Sequence, residues 1–154
     1  MQQNTLRADE GAADSGYEDD FNVWIDQQVA HLRARRFDLL DLDNLIEEVE
    51  DMGRNYHREL KHRLCRMLCH LLKCTYQASR KSGSWKGTVI EQRARVLDLL
   101  DTSPSLGRRV QDYADHAYAH ARKLACVETG LALTDFPPTN PYTREQLLDV
   151  DFIP

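Results

Sequence analysis

Long apolar runs are missing from this 154-residue chain. None approaches the roughly 18 residues needed to span a bilayer, so no membrane helix is expected. Residues 1–16 hold no charged stretch followed by an apolar block, so they do not read as a secretory signal. They are polar and rich in Gly, Ala and Asp, and are expected to form a disordered tail before a single domain over 17–154. No segment of strand length alternates apolar and polar residues, and no internal repeat is visible, which leaves an all-α fold. Glycines number only seven. No phosphate-cradling Gly loop, Gly-x-Ser-x-Gly or Cys-x-x-Cys occurs, so the chain carries no nucleophile signature and implies no cofactor.

What is present suits a globular protein: 42% hydrophobic and 29% charged residues, enough for one real core. The cysteines are Cys65, Cys69, Cys74 and Cys126. Three fall in one helical pattern and no secretion signal precedes them, so they read as reduced thiols in a cytoplasmic protein. Cys65 and Cys69 have the spacing of a soft-metal pair, but small buried hydrophobes are the simpler reading.

The net charge of −5 hides a sharp segregation. Asp38, Asp41, Asp43, Glu47, Glu48, Glu50 and Asp51 come with no intervening base. Residues 54–86 then hold nine bases against Glu59. Such asymmetry is either a partner signal or internal neutralisation.

Hydrophobic spacing predicts a bundle of four main helices organised around one long helix, plus a short C-terminal helix. The first runs from 17 to 34, with Phe21, Trp24, Ile25, Gln28, Val29 and Leu32 on one face and Asp19 and Asp20 in its first turn. Phe37, Leu39, Leu40 and Leu42 are expected to tuck into the core as the chain reverses. The second helix, 44–76, starts from Asn44 with Glu47 three residues on. Its stripe comprises Leu45, Ile46, Val49, Gly53, Tyr56, Leu60, Leu64, Met67, Leu68 and Leu71, with His57 inside it. The stripe keeps its phase across Gly53, which favours a continuous helix of about 50 Å in which Gly53 admits a close neighbour. Ser84 is expected to cap a third helix, 85–100, with Gln92 mid-face and Arg93 at its edge. Ser103-Pro104 restarts a fourth helix over 104–128, with Gly130 as its C-cap. Thr143 and Gln146 form a capping box for the last.

Three sets of residues are candidates for function. His116 and His120 stand four apart on the fourth helix, where two imidazoles can share a metal, although no third ligand is evident. Glu47, Glu48, His70 and Arg93 are candidates for a polar cluster, with Arg93 bonded to an acid of the Glu47–Glu50 turn, since a buried charge needs a partner. Glu47 and His70 are too far apart on a straight helix to meet without a third element. Arg58, His62, Arg66 and Lys73 lie opposite the apolar stripe of the second helix, with Gln77, and Arg80, Lys81 and Lys86 extend the charge. A phosphate backbone could follow such a track, but the negative total and the absence of interleaved aromatics favour a solvated face.

Several stretches resemble the bacterial domain-of-unknown-function family numbered twenty-nine. They are Trp24 with Gln28, the run 42–54 (LDNLIEEVEDMGR), His70-Leu71-Leu72-Lys73, Ser84-Trp85, Ser103-Pro104-Ser105-Leu106, Phe136-Pro137, Pro141-Tyr142-Thr143 and the closing 147–152 (LLDVDF). Cys74 and Asn140 depart from the pattern, where an aromatic and a cysteine would be expected. The resemblance implies a small all-helical protein and no particular activity. The sequence therefore favours a non-catalytic module that binds or regulates another protein. A metal-binding bundle or enzyme centred on His116 and His120 is the alternative, and nucleic-acid binding along the basic face of 54–86 a weaker one.

Overall fold

In a computed structural model of the chain, residues 16–154 are described. The expected tail lies outside them, except for Gly16. All described regular structure is helical, and the described residues divide into two compact units, one up to residue 52 and the other from residue 53.

The first unit holds helix α1, Phe21–Arg33, and the start of α2, Leu42–Tyr76. Helix α1 begins later than its apolar spacing predicts, because Asp20 is its cap rather than a first-turn acid. The Asp20 Oδ1 accepts the amides of Asn22 and Val23, both at 3.1 Å. Beyond its C-terminus Arg35 takes a left-handed φ of 57°, and the Arg36 amide returns to the His31 carbonyl at 2.9 Å. A non-glycine residue in that conformation costs about 1 kcal/mol.

Trp24 and Gln28 are the buried residues of α1, and both converge on Asp41. The Trp24 Nε1–H donates to Asp41 Oδ2 at 3.1 Å, and the Asp41 amide donates to Gln28 Oε1 at 2.8 Å. Asp41 in turn accepts the Asn44 side-chain amide at 2.8 Å, and its carbonyl takes the Leu45 amide, the first bond of α2. The cap is therefore Asp41 and not Asn44. The Asn44 bond, with help from Trp24, holds the Asp41 carboxyl below its usual range. Phe37, Leu39 and Leu42 do not enter a core. They are exposed, as are Phe21 and Leu32, while Leu40 is half-buried. The unit is too small to cover them, and its apolar interior is centred on the Trp24 ring.

Helix α2 spans 35 residues without a break, about 52 Å at 1.5 Å per residue. Continuity through Gly53 matches the phase of the stripe. The close neighbour expected at Gly53 is absent, since a Cβ built there meets nothing within 4 Å.

The second unit holds the remainder of α2 with α3, Gly83–Thr102, α4, Val110–Thr129, and α5, Arg144–Leu148. Its core joins Leu60, Leu64, Met67, Leu68, Leu71 and Leu72 of α2 to Val89 and Val96 of α3 and to Ala114, Tyr118, Ala121 and Ala125 of α4. Ser82 rather than Ser84 caps α3, its hydroxyl accepting the Trp85 amide at 3.3 Å. Ser103-Pro104 opens a 3₁₀ segment, Pro104–Arg109, and α-helical geometry starts only at Val110. Gly130 ends α4 with a φ of 74°, as the C-cap pattern predicts. The Thr143 and Gln146 capping box is present at α5. Loop and tail are pinned by side chains of the body. Arg122 donates to the carbonyls of Leu133 and Phe136 at 2.7 and 2.9 Å, and the Tyr118 hydroxyl to that of Pro137 at 2.7 Å.

Candidate functional site

From residue 64 to 74, α2 reads Leu-Cys-Arg-Met-Leu-Cys-His-Leu-Leu-Lys-Cys, apolar nearly all round, and every member but Arg66 is buried. A helix of that composition is enclosed on all sides. His70 and Lys73 therefore sit in the body of the second unit, and Lys73 is not part of an outer basic face. Its ammonium meets Glu128 Oε2 of α4 at 2.5 Å and lies 4.5 Å from the centroid of the Trp85 ring. The all-round apolar run was the sequence signal for this burial.

His70 is 8% exposed and its Nδ1 has no hydrogen-bond partner. Burial, with Lys73 close by, pushes its pKa down to about 4, so the ring is neutral at physiological pH. The Cys69 thiol is pushed up to about 12 by burial, and Cys65 and Cys74 are raised for the same reason. All four cysteines are free thiols. A thiol held that far above neutrality offers almost no thiolate for nucleophilic attack.

Of the polar cluster read from sequence, Glu47 and Glu48 belong to the first unit and His70 and Arg93 to the second. Glu48 accepts the Tyr17 hydroxyl at 2.5 Å in the first unit, and that bond pushes the Tyr17 pKa up to about 12. The bonds of the Arg93 side chain run to the closing residues of the second unit. Its Nε donates to the Leu147 carbonyl at 2.9 Å and its Nη2 to that of Phe152 at 2.8 Å. Backbone carbonyls take Nε and Nη2 where a carboxylate was expected, because α3 packs on α5 and presents the guanidinium to the closing residues of the chain, while the buried Nη1 has no partner.

His57 is exposed rather than in the core, and its Nδ1 lies 2.7 Å from the Tyr113 hydroxyl. His116 and His120 are both exposed. His116 Nδ1 donates to the Asp112 carbonyl at 2.6 Å, while His120 lines a shallow cleft with Lys61, His62 and Arg66, where the Lys61 and Arg66 charges disfavour a cation. Among the described residues no three His, Cys, Asp or Glu side chains converge as a metal site would require.

Of the expected basic residues, Arg58, His62, Arg66, Arg80 and Lys86 are exposed. Lys81 is half-buried and its ammonium donates to the Pro154 carbonyl oxygen, while Gln77 turns to the Thr129 carbonyl at 3.2 Å.

A further feature is an apolar face on α2 within the first unit. Leu42, Ile46, Val49 and Met52 are 55, 57, 65 and 63% exposed. At 100° per residue they fall on one side of the helix, in phase with the stripe that is buried from Leu60 onward. Asp43, Glu47 and Glu50 follow one edge of it.

The helices, caps and closing segment thus define an all-α protein. The chain belongs to the family described as domain of unknown function DUF29, whose model matches residues 17–153. No curated protein and no solved structure matches it. Among the described residues no helix is long and apolar enough to cross a membrane.

Proposed function

We propose that this protein is a non-catalytic binding module for another protein, docking its partner on the exposed α2 face of Leu42, Ile46, Val49 and Met52. The observation that carries the reading is that these four side chains are more than half exposed while sharing one helix face. Burying what each still exposes would contribute about 1–2 kcal/mol, and contiguous apolar surface of this kind marks interaction sites. The acidic edge selects the occupant: an amphipathic helix of the partner with Lys or Arg beside its own apolar stripe, laid along α2.

The test is direct binding between the purified full chain and a partner recovered from the native cell. Wild type is compared with Ile46→Glu and Val49→Glu, and the oligomeric state is measured by light scattering. The expected result is a partner of defined sequence that both variants release and that added salt weakens, with each variant melting within about 0.5 kcal/mol of wild type because the sites are exposed. A partner held equally by wild type and both variants would refute this surface. A stable homodimer that the same variants dissociate would replace the foreign helix with a second copy of the chain.

A further inference from the structure

The second unit carries a cleft with the opposite character. Arg54, His57, Arg58 and Lys61 of α2 share one helix face and border an open cleft of about 490 Å³, closed on the other side by Arg109 and Tyr113. None of the six lining residues is acidic. The Tyr113 ring, itself buried, organises the cations. The Lys61 Nζ lies 4.5 Å and the Arg109 Cζ 5.9 Å from its centroid. The Tyr113 hydroxyl is bonded to His57 Nδ1 at 2.7 Å. Whichever of the two donates in that bond, the pair keeps one further N–H or O–H.

We propose that this cleft binds the phosphate groups of a small phosphorylated ligand. Gathered like charges repel, at about 1 kcal/mol per pair at 4 Å in water and more where solvent is partly excluded, and a polyanion between them removes that cost. Guanidinium forks match phosphate oxygens in pairs, whereas an ammonium acts as a point charge. The cleft offers both kinds, oriented by cation–π contacts on one ring. Asp112 lies 3.9 Å from Arg109, and both side chains are at least half exposed, so that pair is weak and leaves Arg109 able to turn to a ligand. The volume exceeds one phosphate and falls in the range of small-molecule sites, which points to a phosphate carried on a larger group. This site lies wholly in the second unit and does not depend on the protein-docking face.

Calorimetric titration of the full chain with inorganic phosphate, pyrophosphate and adenosine triphosphate, at one pH and chloride-balanced ionic strength, tests the site. Saturable one-to-one binding is expected, tightest for a ligand with several phosphates. If adenosine triphosphate binds no better than pyrophosphate, the cleft reads phosphate and not the organic group. Lys61→Ala and Arg109→Ala should each weaken binding about tenfold, the worth of one charge-assisted hydrogen bond. Arg58→Ala, an exposed change that leaves the Tyr113 contacts intact, should weaken binding without shifting the melting temperature, so that loss through misfolding is told apart. Arg95→Ala, on the exposed side of α3, should change nothing. Absence of saturable binding by all three ligands at millimolar concentration, or equal weakening by Arg95→Ala, overturns the proposal. So does binding confined to single-stranded RNA with a steep salt dependence, since that would make the cleft part of a polymer track.

Discussion

The Lys73 ammonium and the Glu128 carboxylate form a 2.5 Å pair across α2 and α4, with Lys73 4% exposed and the Glu128 side chain 37% exposed. The partners are therefore unequal: one is in the body and the other reaches solvent. Glu128→Gln leaves a buried ammonium facing a neutral acceptor. We expect a loss of about 2 kcal/mol, below the 3–5 kcal/mol of a fully buried pair because water still reaches position 128. Adding Lys73→Met should recover most of that loss, as an apolar chain against Trp85 no longer needs a counter-charge. Urea unfolding followed by circular dichroism measures both, and a wild-type midpoint for Glu128→Gln would show that Lys73 is held by Trp85 rather than by charge.

His70 makes stability depend on pH. Its folded pKa of about 4 lies below the unfolded value of 6.5, so between those limits the unfolded chain binds the extra proton. Stability then rises with pH through that window and falls on acidification, by on the order of 3 kcal/mol in full. Lys73 and Arg66 oppose protonation and Glu128 favours it, but burial dominates. The Glu128 pKa is itself lowered through Lys73, so loss of its pair on acidification acts with the same sign. Urea midpoints between pH 4.5 and 7 should slope upward for wild type and flatten for His70→Gln, and parallel slopes would remove His70 from the account.

These two residues also show how far the sequence could be read. Period and phase identified α2, its continuity through Gly53 and, from Leu60 onward, the positions that face inward, because a 3.6-residue repeat is a local property. Phase does not say how many neighbours surround a helix. His62, Arg66 and Lys73 share one side of α2, yet Arg66 is exposed and Lys73 enclosed, since elements distant in sequence cover only the later turns. The same limit explains Leu42 to Met52, whose apolar spacing is indistinguishable from that of the buried stripe. It explains the cap of α2 as well. Asp41, Asp43 and Asn44 are all eligible by type, and the choice falls to Asp41 because Trp24 and Gln28, from α1, reach it. The charged cleft escaped the reading because Arg109 and Tyr113 join α2 only in three dimensions, although Arg58 was already among the basic candidates.

Gly53 is where the phase argument and the packing argument separate. A glycine kept for a close crossing would suffer from any side chain, but a Cβ here meets open space in a regular helix. Gly53→Ala should therefore stabilise the protein by up to about 1 kcal/mol, through helix propensity and a less disordered unfolded chain. A raised melting temperature with unchanged helical signal is the expected outcome. Destabilisation would mean that position 53 meets a partner helix in solution, which would extend the docking face one turn further along α2.

Arg93 ties the body of the second unit to the closing residues. It is among the largest fully buried side chains, and its donors go to the Leu147 and Phe152 carbonyls on either side of the last turn. Desolvation lowers its pKa, with Asp149 acting in the opposite sense, but an arginine keeps its charge regardless. Arg93→Ala leaves those carbonyls without their donors and opens a cavity beside Leu147, so a loss of about 3 kcal/mol is expected. Arg93→Lys should fail to rescue, since one ammonium cannot reproduce two diverging N–H groups in a plane. The effect should be local before it is global: amide exchange over 146–152 should accelerate in Arg93→Lys while α2 and α4 stay protected under native conditions. If protection fell equally in all helices, Arg93 would be holding the whole core together and not fastening its last segment. Either pattern is separable from function, because neither the α2 docking face nor the Tyr113 cleft includes Arg93 or a residue it bonds.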